Sequence, residues 1–182
     1  DANSKLISSN DTNGVGKECS LDALNRDFSC TDTNDDTTER FFNANSQVIA
    51  TLDAKNAGTI TSVTPQQVSD WIDAVKADPN SDHVPAGLSL TLYDDKGRPE
   101  ASLDRLEALT TFTYDANDKR TSVTDALDKS TAYTFDERNL LESTQYADHI
   151  DGSSVGDIGY GITECVYDGL GRKVECTDQK GD

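Results

Sequence analysis

Four cysteines stand in two copies of one arrangement. ECSLDALNRDFSCTD, starting at Glu18, and ECVYDGLGRKVECTD, starting at Glu164, each place two cysteines on either side of a turn sequence. In a hairpin centred between Leu24 and Asn25, Cys19 comes opposite Cys30, and in the second copy Cys165 comes opposite Cys176. Directly opposed residues meet the requirement that bridged Cα atoms lie within about 7 Å. That register calls for a two- or four-residue loop, because a three-residue loop with a bulge would push each pair one residue out of alignment. The expectation is therefore two hairpin disulfides, Cys19–Cys30 and Cys165–Cys176, chosen from three possible connectivities. Alternation places Cys19 on the face of Leu21 and Cys165 on the face of Tyr167, so both bridges are expected on the buried side, each contributing roughly 2–4 kcal/mol. The rival use of these thiols, a zinc site, lacks C-x-x-C spacing, and His83 and His149 are far in sequence from either pair. Paired cysteines point to an oxidising, extracellular or cell-surface setting.

Other chemistry is sparse. No nucleophile elbow, H-E-x-x-H, P-loop or dinucleotide fingerprint occurs, and both histidines sit in loop-like strings, SDHVP and ADHID, that offer no nucleophile partner. The chain is not expected to be an enzyme. Calcium is a weak candidate ligand, because extracellular acidic loops supply oxygen ligands. Asp32, Asn34, Asp36 and Glu39 form the best candidate set. A second string, Asp11 to Asp22, mimics positions 1, 3, 6 and 12 of an EF-hand loop but has Val15 where an acid is needed. Asn10 opens a glycosylation sequon, Asn10-Asp11-Thr12, on a predicted turn. The Gly/Ser/Asp string 147–161, with Tyr146, Asp157 and Tyr160, is a candidate ligand loop for a glycan.

These groups are carried by a repeating frame. A turn residue recurs at Asp1, Asp11, Asp22, Asp32, Asn43 and Asp53, then at Asp94, Asp104, Asp115, Asp125 and Asp136, then at Asp168 and Asp178, with spacings that alternate between 10 and 11. Asp folds its side chain onto the backbone two residues on, and the fourth turn position favours residues that tolerate φ > 0. Asn25, Asn56, Gly97, Asp118, Asp128, Asn139, Gly171 and Gly181 suit that position. Ser4 and Ser46 suit it less, and Glu107 is the worst fit. Between turns, Phe112 and Tyr114 alternate with Thr111 and Thr113, and Tyr133 and Phe135 with Ala132 and Thr134, which is strand periodicity. The metre predicts short antiparallel hairpins in series.

Two stretches break it. Over 64–78 the period changes, with Val68, Trp71, Ile72 and Val75 on one helical face. Thr64 is a candidate N-cap, Pro65 suits the first helical position, Gln67 completes a capping box and Pro79 ends the helix. Such a helix is expected to cover a sheet edge or face. The second break is the 147–161 loop.

Composition agrees with thin β-structure. The 182 residues carry a formal charge of -18 and 34% apolar residues, so a single thick core is not expected. The acidity argues against nucleic acid and anionic lipid as partners. No apolar run reaches membrane-spanning length, and residues 1–20 lack a signal-peptide pattern.

The stretches FTYDANDKRTSVTDALDKSTAYTFDERNLLES and CVYDGLGRKVECTDQKGD, with LYDDKGRPEASLD and LDALNRDFSCTDTND, resemble the YD repeat of the Rhs and teneurin-like family, whose consensus runs roughly YDxxGR, strand, TDxxG, strand. The resemblance implies large secreted proteins in which tandem repeats wind into a β-spiral or shell, with no catalytic residues in the repeat. This chain departs from the pattern where Leu21, Phe42 and Phe135 replace the Tyr, and it has no counterpart of the core motif that frees the cargo in the bacterial toxins. The expected fold is mostly β, serial antiparallel hairpins of YD repeats forming an elongated spiral or shell-like sheet with one inserted helix. The expected blocks are 1–56, 88–142 and 163–182 for repeats, 57–87 for the helical insertion and 143–162 for the loop. Both ends fall mid-repeat, so end-to-end pairing with copies or flanking repeats is expected, and head-to-tail contacts that do not close make fibres. The functional expectation is an extracellular, non-catalytic scaffold. Its alternatives are a glycan-binding adhesion module and a shell fragment of a secreted Rhs-type toxin.

Overall fold

The turn residues organise the backbone. In the computed structural model, which describes residues 5–10, 16–79, 82–146 and 160–180, the Asp22 carboxylate oxygen Oδ1 accepts the N–H of Leu24 and of Arg26. The Asp22 N–H donates to the Arg26 carbonyl, and the Asn25 N–H donates to the Asp22 carbonyl. The same backbone bonds recur at Asp32, Asn43, Asp94, Asp104, Asp115, Asp125, Asp136 and Asp168. Each time the fourth residue turns left-handed, including Asp35 (φ 65), Ser46 (φ 61) and Glu107 (φ 60). Glu107, the worst fit by residue type, adopts the conformation all the same. Asn56 does not belong to this set: it closes a short 3-10 turn, Ala54–Asn56, capped by Asp53.

Each turn is a three-residue loop, which the cysteine register had been expected to forbid. A second irregularity reconciles the two. In the first cysteine hairpin Leu21 pairs with Asp27, but Ser20 pairs with Ser29, so Phe28 is an extra residue and Cys19 returns to face Cys30. The same step separates Val166 from Tyr167 in the second, restoring Cys165 opposite Cys176. Such bulges follow the Asn43, Asp94, Asp115 and Asp136 turns as well. The alternation of spacings has its cause here. Between Asp27 and Gln145, strands after a YD turn hold five residues and strands after a TD turn six, and the bulge absorbs the odd residue that would otherwise flip every side chain to the other face; the last two strands, Tyr160–Tyr167 and Lys173–Lys180, hold eight each.

The chain divides into units 1–109 and 110–182. In the first, strands β1 (Lys5–Asn10), β2 (Gly16–Leu21), β3 (Asp27–Thr31), β4 (Thr37–Phe42), β5 (Val48–Leu52), β6 (Leu88–Tyr93) and β7 (Pro99–Leu103) pair antiparallel in sequence order. Helix α1 (Pro65–Ala77) has the expected start: Thr64 caps it, and the Thr64 N–H donates to the Gln67 side chain while the Gln67 N–H donates to Thr64 Oγ1. It packs its Val68, Ile72 and Val75 onto Ile49, Ala50, Leu52, Leu88, Leu90, Ala101 and Leu103, with Trp71 at the margin. Each of those three helix side chains contributes roughly 1.5–3 kcal/mol by leaving water.

The second unit holds β8 (Leu109–Tyr114), β9 (Arg120–Thr124), β10 (Ser130–Phe135), β11 (Leu141–Gln145), β12 (Tyr160–Tyr167) and β13 (Lys173–Lys180), again antiparallel in order. Counted from the turn residue, Leu92 and Ala101 of the first unit correspond to Thr113 and Ser122 here, and Leu90 and Leu103 to Thr111 and Thr124. Where Leu and Ala need a helix over them, the hydroxyls bond one another, as between Thr113 and Ser122 at 2.7 Å and Thr134 and Ser143 at 2.8 Å. Among the described residues of this unit only Thr144 is buried.

Both breaks in the metre occupy one place in the repeat. Asp53 stands where a TD turn begins, and its N–H donates to Gly87, so residues 57–86 are inserted into that turn. Tyr146 holds the corresponding position in the second unit and donates to Gly161. Both closing glycines are left-handed, and at Gly87 a Cβ would collide with the side chains of Asn56 and Asp53. No helix among the described residues is long and apolar enough to cross a membrane.

Candidate functional site

The YD turns carry the densest polar chemistry, and they connect one hairpin to the next. At the first, Arg26 sets both Nε and Nη2 on Asp22 Oδ2 at 2.6 Å, then passes Nη1 to the carbonyl of Asn43, in the following YD turn, at 3.3 Å. Its guanidinium also lies 4.5 Å from the centre of the Phe42 ring, which fills the Tyr position of that turn. There Gln47 takes the Arg place, accepts from Asn43 Nδ2 and donates to the Gly97 carbonyl of the next YD turn at 2.7 Å. In the second unit Arg138 chelates Asp136 and donates to the Asp168 carbonyl at 2.7 Å. The turn side chains thus form ladders across successive hairpins within each unit.

The Tyr of the motif adds a bond in the opposite direction. Tyr93 donates its hydroxyl to the Val48 carbonyl at 3.2 Å, and Tyr167 donates to Leu141 at 2.9 Å. Each acceptor lies five residues after the preceding YD turn residue. Phe42 and Phe135 lack the hydroxyl, and cations stack on their rings instead, Arg26 on the first and Lys119, at 5.8 Å, on the second.

Four turn carboxylates are held below their ordinary pKa. For Asp22 the main cause is the Arg26 side chain, followed by backbone amides. For Asp94, Asp136 and Asp168 it is the amide of Arg98, Leu140 and Arg172 respectively, assisted by an arginine side chain. Partial desolvation opposes the shift in all four. These carboxylates are charge-stabilised acceptors, the opposite of what a general acid requires.

The disulfides join Cys19 to Cys30 and Cys165 to Cys176, with Cα atoms 4.1 Å apart in both. Their surroundings differ. Cys19 and Cys30 are buried, as expected, but Cys165 is half-buried and Cys176 exposed. That departs from the expected burial because β4 lies against β3 in the first hairpin, whereas no strand among the described residues pairs with the far side of β13.

The remaining candidates stand apart. Asp32 spends Oδ1 on the amides of Asn34 and Asp36, and Glu39 accepts from the Gly58 N–H at 2.9 Å. Among the described residues the only close group of three metal-ligating types is Cys19, Asp27 and Cys30, whose sulfurs are bonded to each other. Asn10 ends β1 opposite Gly16. Tyr146 is half-exposed, Tyr160 begins β12, and Asp157 and His149 lie outside the described residues. His83 donates its backbone N–H to Glu107, as does Val84. The arginine and Glu107 contacts were not anticipated from residue type, although an Arg four places after Asp22, Asp94 and Asp168 is visible in the sequence.

The family model described as RHS Repeat matches residues 93–128 and 114–150. Residues 93–150 are RHS repeats. Solved structures resemble the chain in fold over nine-tenths of its length or more. TcdB2-TccC3-Cdc42 superposes with a TM-score of 0.62 at 11% identity, covering 90% of this chain and 7% of that one. The Photorhabdus luminescens Tc holotoxin pore with a TccC3 mutation gives 0.60 at 10%, covering 96% and 8%. TcdB2-TccC3 without its hypervariable C-terminal region gives 0.52 at 15%, covering 93% and 7%. The chain therefore spans under a tenth of the length of these solved chains. No curated protein matched. The RHS repeats, matched in the middle of the chain, carry the Asp94, Asp115 and Asp136 turns, and the same turn chemistry extends to Asp22 and Asp168 outside the matched span.

Proposed function

We propose that this chain is a non-catalytic structural segment of a secreted RHS-repeat wall, of the kind that forms a toxin shell, and that its strands continue end to end with further repeats. The observation that carries the reading is the ladder at the YD turns. Arg26, Gln47 and Arg138 each donate to the next turn's carbonyl, which joins hairpins into a surface. The fold similarity to TccC3-containing chains many times longer supports a wall segment over a free-standing module. Partners on this reading are flanking repeats or copies of the chain, with no cofactor.

Electron microscopy of the native secreted material, with non-reducing mass measurement of the same sample, tests it. A chain far heavier than 19.7 kDa in hollow, thin-walled particles is the expected result. Fibres of 19.7 kDa subunits would retain the scaffold and overturn the shell. A dispersed monomer of that mass would overturn both.

A further inference from the structure

We infer that Glu39 and Glu107 form a clasp, two carboxylates of the sheet frame that hold the two ends of the 57–86 insertion and so set where α1 seats. At the entry, the Gly58 N–H donates to Glu39 Oε2 at 2.9 Å. At the exit, the Val84 N–H donates to Glu107 Oε1 at 3.1 Å, and the His83 N–H is shared between the two Glu107 oxygens at 3.2 and 3.4 Å. Glu39 lies on β4 and Glu107 in the turn after β7, so neither belongs to the segment it holds. Neither lies on β1 or β13, so the clasp does not depend on what adjoins those strands.

The backbone at Glu107 points to a use for its side chain. Glu107 is left-handed at φ 60, a conformation that glycine enters freely and that asparagine and aspartate enter more readily than glutamate. The other non-glycine residues held there, among those described, are Asn, Asp and Ser. A residue kept in a sparsely populated conformation is a signal of function. Here the side chain reaches residues 24 and 23 positions back in the chain to accept two backbone amides. A carboxylate accepting from an amide makes a charge-assisted bond, stronger than a neutral acceptor makes.

The exit anchor extends to the helix itself. His83 Nε2 donates to the carbonyl of Asp78, the residue that caps the C-terminus of α1, at 2.8 Å. The hold therefore runs from the turn at Asp104 through Glu107 and His83 to the last turn of α1. The apolar face of α1 supplies burial against the sheet. Burial is non-directional, whereas the anchored amides of Gly58, His83 and Val84 fix a position.

The chain carries its own reporter of that position. Trp71 is its single tryptophan and lies on α1 at the margin of the buried cluster, so its accessibility to a quencher follows the seating of the helix. Glu107→Gly separates the two roles of the residue. It removes the carboxylate and at the same time relieves the left-handed backbone, so the insertion loosens although the turn is eased. Glu107→Gln keeps an acceptor oxygen at the same reach.

The test compares the intact chain with Glu39→Ala, Glu107→Gly, the double variant and Glu107→Gln, by hydrogen exchange at single amides and by acrylamide quenching of Trp71. In Glu107→Gly the amides of His83 and Val84 are expected to exchange about tenfold or more faster, and in Glu39→Ala the amide of Gly58 likewise, while the ladder amides joining β6 to β7 keep their rates. Quenching of Trp71 is expected to rise in the double variant, and Glu107→Gln is expected to restore most of the protection at His83 and Val84. Unchanged exchange at His83 and Val84 in Glu107→Gly would overturn the proposal. So would unchanged Trp71 quenching in the double variant, or an equal rise in exchange along the β6–β7 ladder.

Discussion

At Asn43 the chain itself performs an informative substitution. Asn43 Oδ1 still accepts the amides of Asn45 and Gln47, both at 3.0 Å, so an amide oxygen builds the turn as well as a carboxylate does. What it lacks is charge. Replacing Asp136 with Asn should therefore keep the backbone amide bonds of Arg138 and Leu140 to Oδ1, lose the Arg138 guanidinium bonds to Oδ2 and lower the melting temperature slightly, whereas Asp136→Ala loses every acceptor and should lower it much more. Differential scanning calorimetry of the pair checks this, and equal effects would mean the turn does not depend on its acceptor. The lowered pKa values of Asp22, Asp94, Asp136 and Asp168 set the direction of the acid response. A carboxyl whose folded pKa is depressed binds fewer protons folded than unfolded, so its stabilisation is present above the unfolded pKa near 4 and is lost as pH falls through the folded value. Urea midpoints measured from pH 6 down to pH 2 should thus fall below about pH 4, and less steeply in Asp136→Asn.

Helix α1 is the element on which the first unit's core depends. Ile72 is fully buried between helix and sheet, so Ile72→Ala should cost about 2–5 kcal/mol in chemical denaturation, by lost burial and the cavity left behind. Thr64→Ala removes one half of the capping box and should cost about 0.5–2 kcal/mol. This element was legible in the sequence because its capping and its apolar spacing are local. The hairpins were legible for the same reason, each turn being written in five consecutive residues. What was hidden depends on parity. The bulge at Phe28 has no marker of its own, yet it alone lets a three-residue loop bring Cys19 opposite Cys30. The exposure of Cys176 was likewise unreadable, because burial of a residue on β13 depends on which strand lies beyond it, and alternation along one strand contains no such information. Arg26 reaching the Asn43 carbonyl spans 17 positions and two strands, a contact the sequence spacing permits but does not single out.

For the whole molecule, a chain with 34% apolar residues and a charge of -18 folds without a thick core. Its buried cluster is confined to the strands under α1, and elsewhere stability is distributed over turn bonds, hydroxyl pairs, cation–ring contacts and two disulfides. Such stability accumulates hairpin by hairpin, as in other repeat proteins whose units contact mainly their neighbours. A wall built this way can lengthen without enlarging a core, and its TD turns admit insertions, at Asp53 and Tyr146, that leave the YD ladder intact. The central claim, that these strands belong to a continuing wall, is tested most directly by hydrogen exchange on the intact native protein, read at the amides of Lys173–Lys180 that are not bonded to β12. If a further repeat pairs with β13, those amides exchange as slowly as the ladder amides of β10 and β11. Exchange as fast as that of the turn tips would show that the sheet ends at β13 and would contradict the account.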